Sequence, residues 1–259
     1  MSMSRKGPAE KYLQGHWLLA SMGKRVLRPG GIELTTRLIE AAHPTSSDRI
    51  VELGPGVGRT AEILLAAHPR SYRGVDPNPE GSAQLAEVLR GHPEAEQVVA
   101  DARSHELPDG SADLVVGEAM LTMLSTEDKK AVMERTYRLL APGGRYAIHE
   151  LAVSGDNATE VSREISRSIK VGARPLPAEE WQQLLEEAGF EVVATDTSPM
   201  RLLEPSRIIA DEGLGGALRF FYRVLRNPTA RRRIMQMRSV FRRHREQLSA
   251  VAFVARKGC

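Results

Sequence analysis

Short apolar runs alternate with stretches of helical periodicity through the middle of the chain. Arg49–Leu53 (RIVEL) is a β-branched run ending at glycines and predicts a buried strand. Further strands are predicted at Tyr72–Val75, Gln97–Ala100, Asp113–Val116 and Arg145–Leu151. Helical spacing over Arg59–His68, Gly81–Arg90 and from Ser125 to Leu140 fills most of the gaps. Ser125, with Asp128 three residues on, fits a capping box, and Pro142-Gly143-Gly144 is read as a stop. Strands separated by helices imply right-handed crossovers and a parallel sheet covered on both faces. Pro177–Ala188 then reads as a helix closed by Gly189, followed by strands at Phe190–Ala194 and, much later, Ser249–Ala255. That late pair lacks a crossover helix and predicts an antiparallel arrangement at one sheet edge. The fold class expected is therefore α/β: a doubly wound, Rossmann-like sheet of seven strands, mostly parallel with a C-terminal antiparallel strand. Residues 1–47 are read as an N-terminal helical lid segment, 48–199 with 249–257 as the core, and 200–248 as a helical insertion.

Composition narrows the chemistry. The sole cysteine among 259 residues is Cys259, which leaves no disulfide framework, no cysteine-cluster zinc site and no expected metal. No apolar run approaches the roughly 20 residues that span a bilayer, and no secretory signal is visible, so a cytoplasmic location is expected. Charge is uneven. Met1–Ser47 carries seven basic and three acidic residues, Asp48–Met200 fifteen and twenty-six, and Arg201–Cys259 fourteen and four. An acidic middle flanked by basic ends suggests segments that fold back onto the body, with nucleic acid as the competing partner.

After the first strand comes Glu52-Leu53-Gly54-Pro55-Gly56-Val57-Gly58-Arg59. Glycines there allow a tight turn and close approach of a ligand to the backbone. Arg59 occupies the position where a dinucleotide loop wants its third glycine, which disfavours a nicotinamide enzyme. Asp76, Asp101 and Glu118 end or follow the next three strands in chain order, so all would converge outside the carboxyl ends of a doubly wound sheet.

On these residues Val51–Leu151 resembles the class I S-adenosylmethionine-dependent methyltransferases, of the small-molecule, methyltransferase type 11-like kind. VELGPGVGRT looks like their first motif, GVDPNPEG their second, ADARSHELPDGSADLVV the third and fourth, and LLAPGGRYAIHEL the strand beyond. The resemblance implies S-adenosyl-L-methionine as cofactor and S-adenosyl-L-homocysteine as its product. It implies that Glu52, Leu53, Gly54, Pro55 and Gly56 surround the methionine part. Asp76 would hold the ribose, with Pro77 beside the adenine. Asp101 and Ala102 would meet the adenine, and Gly117 and Glu118 would border the methionyl end. Many small-molecule members carry a His shortly after the fourth strand; here the run is Glu118-Ala-Met-Leu-Thr-Met-Leu, so acid/base help is not implied there.

Methyl transfer is an in-line displacement, and alignment alone can contribute about 7–11 kcal/mol. A general base is needed only for an acceptor that is protonated at neutral pH. His149, near the end of the fifth strand beside Glu150, and His16, in Gly15-His16-Trp17, are the candidates, each with a packing role as the alternative. Tyr12, Trp17, Met120, Met123, Phe221 and Tyr222 are the acceptor-binding candidates. Arg28-Pro29-Gly30-Gly31 reads as a helix stop, or as a cap bringing Arg28 to the cofactor carboxylate. In the insertion, Leu214, Leu218, Phe221 and Leu225 recur at helical spacing, with Arg219, Arg223 and Arg226 mostly elsewhere. This basic amphipathic helix could cover the site, lie on a membrane or meet a second subunit; the lid is preferred because strands fix both its ends. The expected activity is methyl transfer to a small-molecule acceptor, with no nucleic-acid partner or membrane span and with a homodimer compatible. An RNA methyltransferase gripping phosphates through Arg231-Arg232-Arg233 and Arg242-Arg243-His244-Arg245, or a non-catalytic cofactor binder, are the alternatives.

Overall fold

A computed structural model describes residues 13–258. Seven strands form one sheet in the order β3-β2-β1-β4-β5-β7-β6. They are β1 (Arg49–Leu53), β2 (Ser71–Val75), β3 (Ala95–Val98), β4 (Ala112–Glu118), β5 (Leu140–Val153), β6 (Phe190–Pro199) and β7 (Leu248–Lys257). The first five pair in parallel, while β7 runs antiparallel between β5 and β6. The expected doubly wound sheet with its late antiparallel strand is thus the observed one.

Alternation along β1 sends Val51 and Leu53 to one face and Ile50 to the other. On the first face, α5 (Thr126–Leu139) and α7 (Ala178–Glu187) bury Val132, Met133, Trp181 and Leu185. On the second, α2 (Gly31–Ala42), α3 (Arg59–Leu65) and α4 (Ser82–Leu89) bury Leu34, Leu38, Leu64 and Leu85. The Ser125 hydroxyl accepts the Asp128 N–H and caps α5, as its spacing predicts.

A third apolar cluster joins parts remote in sequence: α1 (Gly15–Ser21), α6 (Ala158–Ile169), α8 (Pro205–Arg226) and α9 (Pro228–Arg243). The insertion is helical, as expected. Helix α6 was not legible, because in a polar segment only Val161 and Ile165 recur at helical spacing among its buried residues. Several boundaries differ from expectation, two of them beside the motifs read above. Strand β3 pairs Ala95–Val98 with Tyr72–Val75, so Asp101 lies in the turn beyond it. Pro142-Gly143-Gly144 lies within β5 rather than ending α5, which already stops at Leu139.

The apolar stripe expected on α8, read as a cover for the site, is turned outward except at the half-buried Phe221. Ala217, Phe220 and Val224 are buried, whereas Leu214, Leu218 and Leu225 face solvent. Packing chose the neighbouring helical row. Gly213, with a φ of +69° and a ψ of 170°, breaks α8 into two segments with independent faces.

Just before the break, Asp211 and Glu212 clamp the N-terminal segment. The Lys24 ammonium sits 2.9 Å from Asp211 Oδ2, with neither side chain exposed. Asp211 Oδ1 accepts the Ile32 N–H, and Glu212 Oε1 accepts the N–H groups of Arg25 and Val26. Breaking one side of a buried pair leaves an uncompensated charge. Asp211→Ala is therefore expected to cost about 3–5 kcal/mol in urea denaturation, and Lys24→Met combined with Asp211→Leu to recover much of that loss.

Candidate functional site

The strand order reverses between β1 and β4, and there a cavity of about 380 Å³ opens. Parallel register aligns Leu53 with Val75 on one side and with Gly117 on the other, so the loops after β1, β2 and β4 leave the sheet together. Gly54, Gly56 and Gly58 all take positive φ, at +69°, +54° and +80°. A side chain at Gly81 would collide with the Gly56 carbonyl, so loop and helix start pack backbone to backbone.

Asp76 is buried at the cavity wall. Its Oδ2 accepts the Gly56 N–H at 3.2 Å, and its Oδ1 accepts the Asn78 N–H and side-chain amide at 2.9 and 3.0 Å. A carboxylate has about four acceptor positions, so one remains for an incoming hydroxyl. Pro55, Gly56, Pro77, Ala102 and Met120 line the same cavity. Asp101 does too, but Arg103 grips both its oxygens at 2.7–2.8 Å and holds its pKa down.

Glu118 is the hub. Its Oε2 accepts from Arg28 Nη1 at 2.7 Å and from the Thr60 hydroxyl; its Oε1 accepts from the Thr35 hydroxyl at 2.6 Å and His149 Nδ1 at 2.9 Å. Burial alone would raise its pKa, but the Arg28 charge and the His149 bond outweigh that and hold it at about 2. Arg28 lines the cavity, and its Nε and Nη2 are buried with no protein partner. Sequence reading favoured a helix stop here. The signal for function was a cation next to Pro-Gly-Gly, which by itself specifies no target.

His149 does not meet the cavity. Its ring has no exposed area, Nδ1 faces Glu118, and Nε2 accepts the Gly30 N–H at 3.0 Å. Both nitrogens are engaged and burial lowers its pKa, so the geometry corrects the expected general base to a positioning group. The neighbouring Glu150 points the other way, and its carboxylate accepts the N–H groups of Met120, Leu121 and Thr122. His16 and Trp17 do line the cavity, with ring centroids 5.0 Å apart. Burial lowers the His16 pKa to about 4, against the pull of Asp76 and Glu80. The ring is neutral at pH 7 and a weak base. Tyr12 lies outside the described residues.

Besides His149, five expected residues stand away from the cavity lining. Leu53 and Gly117 are absorbed in the strands, with Leu53 fully buried. Tyr222 is exposed, with the Arg226 guanidinium over its ring, and Phe221 is half-buried in the third apolar cluster. Glu52 is buried behind the glycine loop, where it accepts the Tyr72 hydroxyl at 2.6 Å. Met120 and Met123 are in the lining as expected. Lining residues that sequence reading did not single out include Leu151, Ile165, Ile169, Met200, Met237 and Phe241. They come from four separate elements or loops, so no local motif announces them.

The chain matches the family described as "Methyltransferase domain" over residues 25–195 and belongs to it, within the class I S-adenosylmethionine-dependent methyltransferases. An uncharacterized protein of Haemophilus influenzae is 30% identical over 93% of this chain and 96% of its own length. O-methyltransferase cnsE of Penicillium expansum is 24% identical over 76% of this chain and 69% of its own. Phosphoethanolamine N-methyltransferase 1 of Arabidopsis thaliana is 26% identical over 67% of this chain but only 35% of its own length. Among solved structures, a phosphoethanolamine N-methyltransferase 2 of Haemonchus contortus, in complex with phosphomonomethylethanolamine and S-adenosylhomocysteine, superposes with a TM-score of 0.72 at 17% identity, covering 98% of this chain and 59% of that one. The [4+2]-cyclase SpnF does so with a TM-score of 0.71 at 17% identity, covering 94% and 93%. The cofactor of this family is S-adenosyl-L-methionine.

The buried carboxyl behind the glycine loop carries a pH signature. Burial raises the Glu52 pKa from 4.5 to about 8, with the Tyr72 hydroxyl opposing and the Glu118 charge adding. A carboxyl held more tightly protonated in the folded state weakens folding as pH rises from about 4.5 through 8. Against wild type, Glu52→Gln is expected to match stability near pH 5 and exceed it near pH 8 in urea melts of the ligand-free protein. Equal pH slopes for the two proteins would refute the assignment.

Proposed function

We propose that this protein transfers the methyl group of S-adenosyl-L-methionine to a small, largely apolar acceptor. One observation carries the reading: Arg28 presents two buried, unpartnered N–H groups at the cavity that also holds Asp76 and the glycine loop. A buried donor without a partner is costly, and a ligand carboxylate relieves that cost. Arg28 would hold the amino-acid carboxylate of the cofactor. Asp76 would accept a ribose hydroxyl, and Pro77 and Ala102 would flank the base.

When bound, the cofactor supplies an electrophilic methyl group on a sulfonium with a good leaving group. The chain's own residues supply placement and dryness. Beyond Met120 the cavity is lined by Trp17, Leu151, Ile165, Met200, Met237 and Phe241. The cations in the lining are already committed: Arg25 and Arg59 to Glu62, and Arg28 to Glu118. Among the described residues, a phosphorylated acceptor would find no spare cation in that lining, whereas an apolar one would replace water along the described wall. With His149 engaged and His16 a weak base, alignment and desolvation are the main sources of rate. Helices α1 and α9 form the cover of this chamber.

Titration calorimetry tests the reading. Asp76→Ala is expected to weaken S-adenosylmethionine and S-adenosylhomocysteine at least tenfold. Arg28→Gln is expected to weaken both by about 10–100-fold, as loss of a charge-assisted contact should. It should leave 5′-methylthioadenosine, which lacks the carboxylate, nearly unchanged. Turnover is then expected on apolar phenols, alcohols or amines and not on phosphoethanolamine. Saturable turnover on phosphoethanolamine would overturn the acceptor class, and binding without turnover on any acceptor would favour a non-catalytic binder.

A further inference from the structure

The second segment of α8, from Leu214 to Arg226, exposes what a helix of this kind normally hides. Leu214 is 72% exposed, Leu218 70%, Leu225 65% and Tyr222 60%. At 100° per residue these four lie within about 80° of one another and form a single stripe. Arg219, Arg223 and Arg226 follow along one flank of that stripe, and the opposite flank is the buried row of Ala217, Phe220 and Val224. Between Glu212 and Glu246 the sequence has ten arginines and no acidic residue. Among the described residues, Arg219, Arg223, Arg226, Arg231 and Arg232 make no ion pair with a carboxylate, whereas Arg238, Arg242 and Arg243 meet Glu204 or Glu164.

We infer that this face of α8 docks on an anionic lipid surface. A contiguous exposed apolar stripe marks an interaction site. An amphipathic helix with leucines on one row and arginines beside it matches the interfacial arrangement, with apolar side chains in the acyl boundary and guanidinium groups at the phosphates. Charge excludes the competing occupants. A second copy of the same face would bring arginines against arginines, with no carboxylate between residues 213 and 245 to neutralise them. An RNA would engage the arginines but leave three leucines in water, with one aromatic ring available for stacking. The leucines and the arginines are used together only by a surface that is both oily and anionic.

The location suits the acceptor chamber, since α9, which supplies Met237 and Phe241 to it, follows α8 directly. The docking inference does not depend on the acceptor, because it stands on the outer face of the helix.

Vesicle co-sedimentation of the full-length protein tests it. With vesicles of 70% phosphatidylcholine and 30% phosphatidylglycerol, binding is expected that falls steeply with salt and is at least tenfold weaker on pure phosphatidylcholine. Leu218→Glu is expected to abolish it. Arg219→Gln, Arg223→Gln and Arg226→Gln are each expected to weaken it about fivefold. All four sites lie outside the cavity, so circular dichroism and S-adenosylhomocysteine affinity should match wild type. Equal binding to both vesicle types, no binding to either, or binding that survives Leu218→Glu would overturn the inference. So would a dimer in light scattering that Leu218→Glu dissociates, or an RNA mobility shift without vesicle binding.

Discussion

A buried carboxylate at the end of β4 organises this molecule. Glu118 is almost fully enclosed, and an isolated charge there would be prohibitively costly. It is tolerated because four groups from four places converge on it: Arg28 from the segment before α2, Thr35 from α2, Thr60 from α3 and His149 from β5. Satisfying one charge thus fixes the N-terminal segment against the sheet. The same arrangement leaves Nε and Nη2 of Arg28, a residue of the cavity lining, buried without a protein partner. The carboxylate stays ionised, since the Arg28 charge together with the His149 and Thr35 hydrogen bonds more than offsets the cost of burial.

The cover of the cavity is built from segments far apart in the chain, and a second buried pair holds them together. Lys24 and Asp211 are separated by nearly the whole core sequence, yet they meet without solvent. Buried pairs of this kind contribute little net stability but penalise any misplacement of one partner. Here that penalty couples the segment carrying Arg28 to the insertion carrying Met237 and Phe241. Two parts of the cavity lining that are remote in sequence are therefore tied to each other through one buried pair.

Helix α8 shows how one glycine divides the labour. Before Gly213 the helix spends its acidic residues inward on the clamp; after it, the helix spends its apolar residues partly inward and partly outward. A continuous helix would present one face throughout. The break lets one element serve the interior at one end and a surface at the other.

The local pattern of the sequence determined the sheet, its crossovers, the glycine loop and the row of acids at the strand ends. Those features depend on short-range periodicity and on backbone conformations that only certain residues adopt. Asp76 and the Gly54–Gly56 loop are legible for that reason. Other facts depended on register and on packing between distant segments. Glu118 and His149 are neighbours because β4 and β5 pair at those positions, and that pairing turns a plausible base into an enclosed prop. Arg28 acquires its meaning only when Glu118 is beside it. The exposed row of α8 was spelled out as an apolar stripe, but periodicity gives a face and not its partner. Which row faces the core is decided by the surrounding surface, because burial is a property of the assembled fold and not of the helix alone.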